Sequence, residues 1–388
     1  MKLRAKPAGV PLAWLQLTWQ KSTLLAALAG ISFAVILMLM QLGFEDSLFT
    51  SASTLHSVLR ADLVVIGQQY EFLIHPKSFT ERRLYQALAV PGVDSVDVLY
   101  LGQAPFKNPV NGRERRIFVI GFEPRSGVLN LPAVEQNIPR LREPDVALFD
   151  SRSRPEFGPI PQLLRRGSVT TEVSGRTVEI AGAFELGASF GSDGNLITSD
   201  LNFLRLVPGR QRGLVSLGLI RLKAGENAAQ MRVAVQQLLP EDVSVLTLPQ
   251  FMDLEKRYWG TETPIGYVFT LGVLMGLIVG CVIVYQILYS DISDHLAEYA
   301  TLKAIGYRNR YLFSVVLEEA LILSVMGFVP GLLIAQLLYA VTRRATMLPL
   351  HMTLGRIVTV YLLTAGMCAV SGVLAMRKLR LADPAEIF

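Results

Sequence analysis

Cysteine is almost missing from this chain: of 388 residues only Cys281 and Cys368 qualify, and both fall inside long apolar runs, where they read as small packing residues. The polar stretches therefore have no internal disulfide to hold them and no thiolate cluster for a metal or redox centre. Histidine is equally sparse. His56, His75, His295 and His351 are scattered, no H-E-x-x-H pair occurs, and metal chemistry has no support. The G-x4-G-K-[ST] phosphate loop is absent too, so this chain is not expected to hydrolyse ATP by itself. Gly182, Gly187, Gly191 and Gly194 lack the spacing of a dinucleotide site and read as a mobile loop or turn. Charged residues make up only 18% of the chain, and its formal charge of +5 is not gathered into one patch, which argues against nucleic acid as a partner.

What the chain has in quantity is apolar sequence, at 51%. Four runs stand out, at about residues 24–43, 265–289, 312–338 and 357–376. Each is long enough to cross a hydrocarbon layer of ~30 Å at ~1.5 Å per helical residue. Roughly 220 residues of mixed composition separate the first run from the second. The expected fold class is a multi-pass α-helical membrane protein with four transmembrane helices and a large α+β extracytoplasmic domain. Basic residues flank the runs unevenly. Lys2, Arg4, Lys6 and Lys21 precede the first, Lys303, Arg308 and Arg310 lie between the second and third, and Arg377, Lys378 and Arg380 follow the fourth. The positive-inside rule places these groups and both termini in the cytoplasm, with the large domain on the far side of a plasma (inner) membrane. Arg343, Arg344 and Arg356 run against that pattern.

The expected divisions are 1–44, with an interfacial helix and the first span; 45–264, the outer domain ending in a helical stalk; and 265–388, a three-helix bundle with a cytoplasmic loop at 290–311. Trp14 and Trp19 suit a short helix lying in the headgroup layer just before the first span. That span lacks an A-x-A site after it and is twice the length of a signal-peptide core, so it reads as a retained helix.

In the outer domain, residues 62–66 and 96–101 read as strands around a helix at 80–90, and the same order recurs at 217–222, 226–239 and 243–248. Two such units predict two small lobes of split-βαβ type. A hairpin is expected over 171–180 with its turn at Ser174-Gly175, and mostly loop over 123–161. Residues 250–259 have helical character and lead almost directly into the second span, as a stalk would.

Gly272, Gly276 and Gly280 recur every fourth residue in the second span, and Gly327 and Gly331 do so in the third beside Pro330. Small residues in that register let a second helix approach closely, within one chain or across a dimer. Glu318 and Glu319 lie inside the third run. Intramembrane acids often serve proton relays, but no acidic or histidine partner stands on another span. Structural pairing with water or a basic side chain near the helix end is the expected role. Between the second and third runs, Ser293 or Asp294 can cap a short helix with a stripe at Leu296, Tyr299, Leu302 and Ile305, and Gly306 suits its left-handed stop. With no ligand motif, the segment fits docking to a partner protein, or a plain connector.

That segment, Glu298-Tyr-Ala-Thr-Leu-Lys-Ala-Ile-Gly306, resembles the E-[IY]-[AG]-x-L-[KR]-A-[ILM]-G signature of FtsX/MacB-type ABC permeases. The resemblance extends to their DevC subfamily through residues 11–20, Gly30-Ile-Ser-Phe-Ala-Val-Ile-Leu-Met-Leu-Met-Gln-Leu-Gly-Phe44, Asp62-Leu-Val-Val-Ile66, Leu317-Glu-Glu-Ala-Leu-Ile-Leu323 and Ala382-Asp-Pro-Ala-Glu386. It implies a non-catalytic, mechanotransmitting permease working as a homodimer in the lipid bilayer. ATP would be bound by a separate cytoplasmic ABC ATPase, with a periplasmic membrane-fusion adaptor above and an outer-membrane duct protein beyond it. The implied cargo is lipid- or glycolipid-like or another envelope molecule. Carried onto this chain, the coupling helix comprises Leu296, Glu298, Tyr299, Leu302, Lys303, Ile305 and Gly306, its apolar stripe filling a groove on the ATPase. A second class is an FtsX-like regulator that couples an ATPase to an envelope hydrolase. A third, a membrane-anchored enzyme, finds no nucleophile, acid–base or metal constellation to support it.

Overall fold

A computed structural model describes residues 21–125, 127–307 and 309–381, and the side chains of 300, 303, 304, 309 and 377–381 are not described. The segment with Trp14 and Trp19 and the closing 382–386 motif lie outside the described residues. The chain forms two compact units, residues 46–266 with 342–349 and a helical remainder.

The first unit is built on one nine-stranded sheet. Its strands are β1 (Leu63–Gly67), β2 (Val93–Lys107), β3 (Glu114–Phe122), β4 (Val146–Asp150), β5 (Val169–Val173), β6 (Arg176–Phe184), β7 (Asn195–Ser199), β8 (Leu217–Leu222) and β9 (Val243–Thr247). They lie in the order β9-β1-β8-β2-β3-β7-β4-β6-β5. The two strand–helix–strand units read from the sequence do form, with helices at Arg82–Ala87 and Ala228–Leu238. They do not make two lobes. Their strands interleave as β9-β1-β8-β2, all antiparallel, so the two units complete a single split-βαβ layer. Two separate units would leave four edges; interleaving pairs all but β9, since β2 goes on to pair with β3. The second half of the sheet comes from the chain between β2 and β8. Residues 123–161, expected to be mostly loop, contain helices Pro132–Gln136 and Ile138–Leu141 and the central strand β4. The proline-rich composition hides them because proline reads as a helix breaker. Pro132 and Pro139 instead occupy first-turn helix positions, which need no N–H donor.

Both faces of the sheet are covered. In β1 the side chains of Leu63 and Val65 join one buried cluster, whereas Val64 and Ile66 join the other. This two-sided burial explains the unbroken apolar run there. The β5–β6 hairpin turns at Ser174 (φ 52°) and Gly175 (φ 73°), the two positive φ values that a two-residue turn of this kind demands.

The second unit contains the helices long and apolar enough to cross a membrane: α1 (Lys21–Ala52), α3 (Pro264–Asp294), α5 (Asn309–Thr346) and α6 (Leu354–Leu381), with the short α4 (Leu296–Ala304) between α3 and α5. Ahead of α3 comes α2 (Leu248–Arg257), opened by a capping box between Thr247 and Gln250. The expected stalk is not one continuous helix. After α2 a π-turn spans Tyr258–Glu262, and Thr263 is extended (φ −105°, ψ 151°) before Pro264 starts α3. The proline ring disfavours helical backbone at the residue before it, which is why the break falls there.

Candidate functional site

Three groups of residues carry functional interest: the α4 turn, the glycine faces of the bundle, and a buried polar junction in the sheet domain.

The α4 segment sits at a tight corner. His295 joins it to α3, with Nδ1 3.2 Å from Glu298 Oε1 and Nε2 4.0 Å from Asp291 Oδ1. The far end closes as a Schellman turn: the Tyr307 amide donates to the Leu302 carbonyl at 3.1 Å, and Gly306 adopts φ +102°. The glycine expected there for its left-handed freedom is used that way. Among the described residues nothing lies within contact of a Cβ added at Gly306, so a substitution there acts through the backbone. Gly306→Val should cost about 1–2 kcal/mol of local stability, which differential hydrogen exchange over 296–311 would register.

The apolar stripe of α4 is divided. Tyr299 is fully buried in the bundle core, Leu296 and Leu302 are half-buried against that same core, and Ile305 is exposed. Burying the inward part of the stripe removes its apolar surface from water. What remains outside is Ala297, Glu298, Thr301, Ile305, Gly306 and Tyr307, with Ile305 71% exposed. The side chain of Lys303 lies outside the described residues. The helical period shows which residues share a stripe but not which neighbour claims it.

The glycines of two helices converge on one partner, α1. A Cβ at Gly327 would fall on Ile31, and one at Gly331 on Val35. Gly272 faces Gln41, Gly276 faces Leu37 and Met38, and Gly280 faces Ala34 as well as Met367. The close approach is therefore within the chain, and Ser32 Oγ adds a 2.9 Å hydrogen bond to the Gly327 carbonyl. Pro330 stands inside α5 without ending it. Glu318 and Glu319, paired in the sequence, part company. Glu318 is exposed, whereas Glu319 is fully buried, with neither carboxylate oxygen hydrogen-bonded among the described residues. The expected pairing with water or a basic side chain does not extend to Glu319, because it lies on the buried face of α5 while its neighbour Glu318 lies on the exposed one. Arg356, which ran against the charge pattern, is buried and donates to the Tyr339 hydroxyl (3.2 Å) and the His351 carbonyl (2.7 Å). It is part of the packing, which lessens its weight as a topological signal.

The third group was missed in the sequence. Glu255 of α2 is 1% exposed and accepts hydrogen bonds from the Tyr70 hydroxyl (3.2 Å), the Leu73 amide (3.0 Å) and Trp259 Nε1 (3.0 Å). Beside it lies His56, from the short helix Thr54–Ser57, wholly buried and with Nε2 4.0 Å from Glu255 Oε2. Neither imidazole nitrogen makes a close hydrogen bond among the described residues, and the Ala52 backbone opposes burial by favouring the protonated ring. Burial pushes Glu255 up to about 7 and His56 down to about 3. Over them lies the glycine-rich 186–194 loop, with a cavity of about 30 Å³ beneath it. That loop is not the free turn expected. Asp150, fully buried, accepts from the Leu186 and Gly187 amides and from Asn195 Nδ2, and Gly191 lies against Ile74. A sequence signal for the junction did exist: Phe251, Glu255 and Trp259 recur every fourth residue, which places a lone carboxylate on an aromatic helix face.

Residues 270–384 match the family described as FtsX-like permease C-terminal. No curated protein matches the chain. Among solved structures, the periplasmic region of MacB from Actinobacillus actinomycetemcomitans is similar at 10% identity, covering 50% of this chain and 92% of that one with a TM-score of 0.35. The extracellular domain of the noncanonic ABC-type transporter YknZ from Gram-positive bacteria is similar at 15% identity, covering 48% and 99%, with a TM-score of 0.34. A domain of a putative permease protein from Porphyromonas gingivalis gives 14% identity, coverage of 47% and 85%, and a TM-score of 0.29. Scores of this size do not by themselves establish a shared fold.

Proposed function

We propose that this chain is the membrane-spanning permease subunit of an ABC-type system and hydrolyses no ATP itself. It would couple a separate cytoplasmic ATPase to work done by its sheet domain on the opposite side of the inner membrane. The observation that carries this reading is the FtsX-like match over 270–384, which takes in the α4 corner and most of three of the four candidate spans. A permease without a phosphate loop needs an ATPase partner, and a corner between two spans is where one can press. The finer reading is export of a lipid-like or other envelope cargo as a homodimer of DevC type, with a periplasmic adaptor and an outer-membrane duct. It rests on the sequence resemblance alone.

In this reading the ATPase meets the outward side of α4, through Ala297, Glu298, Thr301, Ile305 and Tyr307. The buried stripe then transmits the push to the bundle core. Ile305→Asp should leave the chain folded and inserted, because surface substitutions usually change stability by no more than about 0.5 kcal/mol. It should lower recovery of an ABC ATPase with the affinity-tagged full chain by about tenfold or more, since an anchor truncated at an interface centre costs at least ~2 kcal/mol. Mass spectrometry of the co-purified proteins reads both the ATPase and any adaptor or duct. Recovery of an ATPase equal to wild type would remove α4 as the docking face. Recovery of an envelope hydrolase in place of adaptor and duct would turn the reading toward a regulator.

A further inference from the structure

The junction of His56 and Glu255 has no part in docking or in packing the bundle, yet it seals two ionisable groups side by side. We propose that this pair is an acid-opened latch in the sheet domain, holding one proton when closed and rejecting a second. The turn that follows α1 carries His56, and the helix that leads toward α3 carries Glu255. Opening the latch would separate these two segments, through which the sheet domain is entered and left.

The geometry supplies the one-proton rule. The Tyr70 hydroxyl, the Leu73 amide and Trp259 Nε1 already serve the Glu255 carboxyl, and the remaining neighbour is the imidazole. With one proton on the pair, a neutral carboxylic acid faces a neutral ring 4.0 Å away, and no net charge is sealed. A second proton makes an imidazolium with no anion beside it, and a charge so placed is expelled or draws in water. The other ionisable groups around the junction do not relieve this. Tyr70 faces Glu255 from the 67–75 loop, Lys256 acts on His56 from α2 as a like charge to imidazolium, and Tyr258 lies within range of Glu71, Glu255 and Glu262. The residues of the covering loop that line the cavity, Leu186 to Ser192, carry no ionisable side chain.

Burial works in opposite senses on the two partners. Glu255 is raised from 4.5 to about 7, so its contribution to closing is full below 4.5 and lost as pH rises through about 7. His56 is lowered from 6.5 to about 3, so its contribution is full above 6.5 and lost as pH falls through about 3. Between 4.5 and 6.5 the slopes cancel, because opening only moves a proton from Glu255 to His56. Below that window the Glu255 contribution is full and constant, only the His56 slope remains, and acid opens the latch.

The test is hydrogen exchange at the Leu73 amide, corrected for intrinsic rate, in full-length protein in nanodiscs from below pH 4.5 up to 6.5. Wild type should show level protection between pH 4.5 and 6.5 and falling protection below 4.5. Glu255→Gln removes one slope, and protection should fall toward acid by as much as about tenfold per pH unit. His56→Gln removes the other, and protection should fall toward alkali by a similar factor. Three parallel profiles would overturn the proposal. Wild type supplies a second reading whether or not the variants fold. Of the three tryptophans, Trp259 donates to Glu255. With Trp14 and Trp19 replaced by Phe, its fluorescence should change with a midpoint near the value of about 7 given for Glu255. A flat signal from pH 5 to 9 would equally overturn it.

Discussion

Replacing Gly327 with leucine should disrupt the helix bundle. A Cβ at this position already falls on the Ile31 side chain, and Gly327 is buried. The β-branched Ile31 has one strongly preferred rotamer in a helix and cannot swing aside. Forcing extra carbons into such a contact costs about 1–3 kcal/mol, and more where neither neighbour can give. Moving the helices apart would also stretch the hydrogen bond from Ser32 Oγ to the Gly327 carbonyl, worth roughly 0.6 kcal/mol in a bilayer protein. The expected result in detergent is a lowered melting temperature with early aggregation on size exclusion. Gly276→Leu should act in the same direction through Leu37 and Met38, since the face it blocks belongs to α1 too. Unchanged melting of both variants would mean that α1 does not pack as described.

A comparably large loss is expected for Tyr299→Ala, and its meaning differs from that of Ile305→Asp. Tyr299 is 1% exposed and sits with Leu288, Ile292, Leu312 and Val316 in the bundle core. Emptying a site of this size costs about 3–5 kcal/mol for Phe or Trp, and tyrosine should fall in or near that range. The variant should therefore melt earlier with or without any partner present. Leu302→Asp, half-buried against the same core, should also weaken the bundle rather than cleanly uncouple it. Ile305→Asp should do the reverse, sparing the melting temperature and losing the partner. Thermal denaturation of the three purified variants without ATPase separates the two kinds of effect. If Tyr299→Ala melts like wild type, the inward assignment of the stripe is wrong.

Much of the secondary structure was legible because its causes are local. Short apolar runs marked β1, β8 and β9, a Ser-Gly pair marked the β5–β6 turn, and Gly306 marked the stop of α4. Apart from the proline-rich 123–161 stretch and the broken stalk, the misreadings were of partnership. The two strand–helix–strand units could pair within themselves or with each other, and register alone did not choose between a pair of lobes and one interleaved layer. The stripe of α4 showed an apolar face but not which surface would cover it. The glycine rows announced a close neighbour without saying that both wait for α1. Glu255 was hidden differently. Its helix has the sequence of a charged linker, and only the fold brings Tyr70, 185 positions away in the chain, together with Leu73 and His56 around it.

The contact of Ser32 with Gly327 spans 295 residues of chain. At ribosomal rates of ~5–20 residues per second, that separation corresponds to roughly 15–60 s of synthesis. In the bilayer setting proposed above, α1 is made first and must wait that long for the grooved surfaces that receive it. During the wait its Ser32 hydroxyl can turn back on its own helix, and its apolar flanks meet only lipid. The sheet domain between them has the same interval in which to fold on the other side. Biogenesis thus has an order written into it, with α1 made before the α3 and α5 faces that receive it. An insertase or chaperone that holds a lone helix should matter most in that interval.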